Sequence, residues 1–167
     1  MHTTAKVIKI VVAAVAVVVL AMLLLFKLTA DKPLLPDRAP SDIDENAFIS
    51  DGNEEKMEVP PNGGGASFNY AREITIDLQK GTAELYFENP GKALYNASVF
   101  LVIDETVILQ SGLLPPGTQL TSLSLPEKDI PLQKGGYDAE LWVQSYDKNG
   151  DALNVNFQLQ GIAVEVK

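Results

Sequence analysis

Hydrophobic and polar positions divide the chain into three stretches with different patterns. The first is continuous. Val7–Leu28 reads VIKIVVAAVAVVVLAMLLLFKL, interrupted only by Lys9 and Lys27, and Ile10 to Phe26 contains no charged or polar side chain. Wound as a helix the run is about 33 Å long, enough to cross a hydrocarbon layer of about 30 Å. A transmembrane helix is therefore expected over residues 7–30, behind a short tail of residues 1–6. The second stretch, residues 31–67, mixes proline, glycine, acids and isolated hydrophobes with no period of 3.6 or 2. It reads as a disordered acidic linker, which as a coil would span roughly 35 Å. Within it Ile43–Ile49 (IDENAFI) reads as solvated chain, with a helical turn or a docking peptide as alternatives, and Asn62-Gly63-Gly64-Gly65 as a flexible joint.

From residue 68 onward apolar residues alternate with a period of two, the signature of strands. Ile74, Ile76 and Leu78 share one face of Glu73–Gln79, and Ala83, Leu85 and Phe87 share one face of the next run. Asn89-Pro90-Gly91-Lys92 is a turn sequence. Leu94–Asp104 points Tyr95, Ala97, Val99, Leu101 and Ile103 inward. Short runs follow at Thr106–Gln110 and Gln119–Leu125, separated by the turn Leu113–Gly117. Tyr137–Asp147 alternates through Tyr137, Ala139, Leu141, Val143 and Ser145, then meets the Asn149-Gly150 pair favoured in type I′ hairpins. The last run, Leu153–Val166, switches parity at Gly161, as a β-bulge would. About seven strands in about 100 residues predict an all-β, antiparallel sandwich over residues 68–167.

Charge and composition narrow the class. The 167 residues carry a net charge of −9. Residues 1–30 hold three lysines and no acid, whereas residues 68–167 hold seven bases against thirteen acids. An acidic body argues against a nucleic-acid partner. The basic end of the apolar run argues for a cytoplasmic N-terminus and an extracytoplasmic C-terminal domain. Cleavage after Ala30 would leave Leu28 where signal peptides prefer a small residue. The helix is thus expected to be a retained single-pass anchor, with a cleaved signal peptide as the alternative. There is no cysteine, hence no disulfide, thiolate metal site or lipid-modified cysteine. The single histidine, His2, lies in the N-terminal tail, away from any external triad. Together these point to a non-catalytic protein without a cofactor, anchored in a bacterial envelope.

The run Leu132-Gln133-Lys134-Gly135-Gly136-Tyr137-Asp138-Ala139-Glu140-Leu141 resembles the corner and sixth strand of immunoglobulin-like domains. In those domains a tyrosine locks this corner, and Ala139 stands where antibody domains carry a cysteine. The strand ending in Asp-x-x-Gly is also similar to bacterial immunoglobulin-like and fibronectin III-like surface modules. The resemblance implies the fold and carries no function with it.

Two candidate sites follow. If the odd positions are buried, Tyr86, Phe100, Val102, Trp142 and Tyr146 point outward, rimmed by Glu84, Glu88 and Gln144. Such a face suits a sugar ring, a peptide or another domain, although cross-strand pairs of this kind also simply stabilise sheets. Asp147, Asn149 and Asp151 have the oxygen spacing that opens a calcium loop. The pattern departs at Ala152 and Gln158, so a plain hairpin turn accounts for it as well. The expected role is an interaction or scaffold subunit of an envelope assembly for transport, secretion, piliation or adhesion, with other envelope or membrane proteins as partners. The alternative is a carbohydrate- or peptidoglycan-binding module using the Trp142 face, with a glycan as partner.

Overall fold

The computed structural model describes residues 35–50, 55, 58, 66–126 and 130–167, and Leu35–Lys167 forms one unit. The expected membrane helix over residues 7–30, the Asn62–Gly65 joint and His2 lie outside the described residues. Among the described residues no helix is long and apolar enough to cross a membrane.

The described chain is all-β. Nine strands follow one another: β1 (Phe48–Ile49), β2 (Asn69–Tyr70), β3 (Glu73–Asp77), β4 (Thr82–Asn89), β5 (Asn96–Ile103), β6 (Thr106–Gln110), β7 (Thr118–Ser124), β8 (Gly135–Tyr146) and β9 (Ala152–Val166). They form one mixed sheet in the order β1-β7-β4-β3-β9-β8-β5-β6, with β2 also pairing β4. Every pairing is antiparallel except β3 with β9. β3 joins the two halves of the sheet, running antiparallel to β4 through Thr75–Asp77 and parallel to β9 through Glu73–Ile76. The sheet curls around one apolar core. Phe87, Leu120 and Leu123 from one end share a cluster with Val99, Leu101, Leu141, Val143 and Ile162 from the other.

The alternation read from the sequence is the inward face of this core. Ile74, Ile76, Ala83, Leu85, Phe87, Ala97, Val99, Leu101 and Ile103 are all buried. Phe68 lies 5.4 Å from Phe87, tilted, and 5.4 Å from Phe157, edge-on. The parity switch in β9 is a real bulge: Ala139 faces Ile162 and Leu141 faces Leu159, so the register slips by one residue at Gly161. Gly161 takes a φ of 73°, which a side chain would resist.

One connection differs from expectation. The β8–β9 loop is not a type I′ turn, because only Gly150, and not Asn149, has positive φ. Gly150 N–H donates to Asp147 O at 3.1 Å and Asp147 N–H to Asp151 O at 3.0 Å, which gives a three-residue loop with a glycine bulge. Asp104 and Glu105, by contrast, both have positive φ (47° and 62°), as a two-residue primed turn between β5 and β6 requires. Elsewhere Asn89 fastens two crossing loops. Its buried side-chain Nδ2 donates to Tyr95 O at 3.0 Å and to Leu114 O at 2.8 Å.

At the entry to β8, the Tyr137 hydroxyl donates to Gln133 O at 2.9 Å and accepts from Gln133 N–H at 3.0 Å. One side chain thereby satisfies both backbone groups of a residue four positions back and fixes the corner. Tyr137→Phe keeps the ring and deletes both bonds, so a loss of about 1–2 kcal/mol is expected in urea unfolding. An unchanged midpoint would mean that the ring alone holds the corner.

The linker boundary is also corrected. Residues 35–50, expected to be part of a disordered spacer over 31–67, lie against the sheet and belong to the same unit as residues 68–167. The absence of periodicity in this stretch has a physical cause. It binds by scattered backbone bonds at the sheet's margins, and such bonds impose no repeat on the side chains.

Candidate interaction surface

Phe100, Val102 and Trp142 lie together, as their shared parity predicts. Phe100 faces Trp142 across the β5–β8 ladder and Val102 faces Glu140. They are not an exposed platform, however. Phe100 is 1% exposed, Val102 4% and Trp142 6%, because Leu35 and Val107 pack against them as a second apolar cluster. The Trp142 indole N–H donates to Glu140 Oε2 at 2.6 Å, so its polar edge is also engaged. Tyr146 is fully buried outside that cluster. Gln144, expected at the rim, is buried and donates to Leu153 O and Ser145 O, each at 2.9 Å. Tyr86 is half-buried on β4 and donates to Glu88 Oε2 at 3.0 Å. The five residues therefore do not converge on one accessible face. Alternation identifies the face of a strand, whereas what covers that face is set by distant parts of the chain.

Residues 35–50 act as a strap along the margins of the sheet. Leu35 lies on the Trp142 cluster. Ala152 N–H donates to Asp37 O at 2.9 Å, and Ala39 N–H to Gly150 O at 2.8 Å, at the β8–β9 loop. Asp44 N–H then donates to Leu113 O at 3.0 Å, and Leu113 N–H to Asp42 O at 2.9 Å. The Asp44 carboxylate accepts from Gly112 N–H at 2.7 Å and from Asn46 N–H at 2.9 Å. Ala47 packs on the main core, and β1 pairs with β7 through Phe48 opposite Gln119 and Ile49 opposite Thr118. Gly112 is required at this contact, since a Cβ there would sit 2.7 Å from the Asp44 Cα and N. Gly112→Ala is accordingly expected to lift the strap from residues 112–113. Faster amide exchange at Asp44 and Leu113 would register it, and unchanged exchange would count against a seated strap.

The strap leaves three apolar side chains in solvent. Ile43 is 58% exposed, Phe48 44% and Ile49 78%, and they are the exposed large hydrophobics among the described residues. Beside them Glu88 accepts from the Asn69 amide at 2.7 Å. That bond, with the one from Tyr86, holds the Glu88 carboxyl below its usual range, so it stays ionised.

The residues of the candidate calcium loop are engaged in the turn. The Asp147 carboxylate accepts from Asn149 N–H at 2.8 Å, Asp151 N–H at 2.9 Å and the Asn149 amide at 3.1 Å. Asp151 pairs with Arg38 at 3.0 Å. No group of three acidic, histidine or cysteine side chains among the described residues could hold a metal ion. The backbone N–H of Asp151, and after it those of Asn149 and Gly150, lower the Asp147 pKa. A carboxyl whose pKa is lowered on folding stabilises the fold above its unfolded pKa. That stabilisation is lost as pH falls through the folded value. Asp77, whose carboxylate accepts first from Lys80 N–H, is lowered too. Urea midpoints are therefore expected to fall from neutral pH to about pH 3, and to fall less steeply in Asp147→Asn. The Arg38–Asp151 pair is mostly exposed, and Arg38→Ala is expected to cost no more than about 1 kcal/mol.

A shallow recess beside Asn89, lined by Phe68, Leu94, Tyr95 and Ser145, has no acidic, basic or histidine side chain among its described residues. No protein-family model, no curated protein and no solved structure matches the chain.

Proposed function

We propose that this chain is a non-catalytic interaction subunit of a bacterial envelope assembly, anchored by residues 7–28 with its N-terminus in the cytoplasm and its β domain outside. The observation that carries this reading is the gathering of Ile43, Phe48 and Ile49 on one solvent-exposed segment, in a domain whose other large apolar side chains, among the described residues, are buried or half-buried. Exposed apolar side chains on a segment seated against the domain, in an otherwise polar surface, favour a protein contact. The Val7–Leu28 run supports the anchor.

The fold is further read as an immunoglobulin-like sandwich, with β7-β4-β3 facing β9-β8-β5-β6. The crossovers from β4 to β5, β6 to β7 and β7 to β8, the parallel β3–β9 pairing and the Tyr137 corner all favour this reading. A carbohydrate-binding module stacking a sugar on Trp142 has less in its favour, because stacking needs an open ring face and this one is 6% exposed.

Crosslinking in intact membranes followed by purification of the full chain tests the assignment. One envelope protein is expected to be recovered reproducibly at a fixed ratio. Recovery of the chain alone, or accessibility of its C-terminal domain only from the cytoplasmic side, would sink the reading.

A further inference from the structure

We propose that Phe48 and Ile49 dock an extended, basic segment of a partner protein, which adds as a strand to the outer edge of β1. The inference rests on the interaction-subunit reading above and names its surface and the chemistry of its occupant.

Three observations converge on this edge. First, β1 ends the sheet order, and among the described residues no strand pairs with its outer side. An unpaired strand edge is a template for another chain, and proteins blunt such edges with lysine, proline, a cover or very short strands; β1, at two residues, is short, but it carries no lysine, no proline and no cover among the described residues. Here the edge carries Phe48 and Ile49, both exposed. Second, the segment is held in place by the domain. Ala47 N–H donates to Asp44 O at 3.0 Å, Ser50 N–H to Gly117 O at 2.9 Å, and Ser124 Oγ to Glu45 Oε1 at 3.0 Å. Its outward side chains are thus displayed on a seated backbone, which lowers the ordering cost of binding. Third, the charge is of one sign. Between Ser41 and Ser50 the strap carries Asp42, Asp44 and Glu45 and no base.

This charge selects the occupant. A second copy of the chain would bring the same acids to the contact, and anionic lipid would be repelled. A polypeptide with apolar residues alternating with Lys or Arg satisfies both features. In strand addition the backbone bonds supply affinity and alternate side chains supply specificity.

The full chain in neutral-lipid nanodiscs can be titrated with a fluorescent ten-residue peptide alternating Lys and Val, with a Glu–Val peptide as control. Binding of the Lys–Val peptide is expected to weaken at least tenfold in the double variant Phe48→Ser, Ile49→Ser. It is also expected to weaken between about 50 and 500 mM salt. Both side chains are exposed, so the variant should melt within a few degrees of the parent. Equal binding by the variant, or equal binding of the Glu–Val peptide, overturns the proposal. So does self-association of the parent that the variant abolishes, which would make a second copy the occupant. The two readings fail separately. If membrane crosslinks recover a partner while the serine variant still binds the peptide fully, this surface falls and the interaction subunit stands. If no partner is recovered while the peptide binds and the variant does not, the assembly reading falls and the surface stands.

Discussion

Trp142→Ala is expected to destabilise the domain by about 3–5 kcal/mol. The indole is 6% exposed, lies opposite Phe100 on the neighbouring strand and has Leu35 and Val107 packed against its cluster. Truncation removes the largest side chain of that cluster and leaves a cavity between β5, β8 and the strap. It also frees Glu140 Oε2 from its 2.6 Å bond. Urea unfolding gives the measurement, with a midpoint shift and an unchanged slope as the expected form. A stability within 1 kcal/mol of the parent, combined with loss of a bound glycan or peptide, would overturn the structural role and restore the exposed platform. Trp142→Phe should recover much of the loss, because most of the ring volume returns.

Removing the strap is expected to have an effect of similar size. A chain beginning at residue 66 should unfold about 3–6 kcal/mol more easily than one beginning at residue 35. It loses the strap's backbone bonds to the β8–β9 loop, to Leu113 and to Gly117, the β1 ladder, and the packing of Leu35 and Ala47. At about 0.5–1.5 kcal/mol net for each bond the total is several kcal/mol before the apolar contacts are added. It would also uncover the outer edge of β7 at Thr118–Gln119, so a concentration-dependent tendency to associate should accompany the loss. Identical melting of the two chains would mean that residues 35–50 are a spacer after all.

The two predictions meet at Leu35. If Leu35 is what closes the Trp142 cluster, Leu35→Ala should cost less than Trp142→Ala. The double change should then cost less than the sum, since the two residues share a contact. Full additivity would separate the strap from the cluster.

How much of this was legible beforehand depended on the range of the interaction. The strands between residues 73 and 166 were readable within one or two residues of their ends, because pleating puts alternate side chains on one face and the core selects them. The bulge at Gly161 was visible as a switch of parity within one strand. The hairpin geometry at Asp147–Asp151 was read less well, because an Asn-Gly pair suits more than one turn and the Asp147 carboxylate selects among them by accepting three hydrogen bonds. The strap was not legible at all as an ordered element. Its apolar residues follow no period, most of its bonds are made by backbone atoms, and its partners lie dozens of positions away, as with Asp44 and Leu113.

The candidate surface divides along the same line. Sequence by itself determined the all-β class, the inward set of side chains, the acidic body and the continuous apolar run near the start, since each follows from local pattern or composition. Tertiary structure alone decided that Phe100, Val102 and Trp142 are covered and that Ile43, Phe48 and Ile49 are not. Exposure is a property of what packs on top, and here Leu35, more than 60 residues from Phe100 in the sequence, contributes the cover while its own segment carries the exposed residues. A side chain's own neighbours in sequence report which way it points, but only the folded chain determines whether anything is there to meet it.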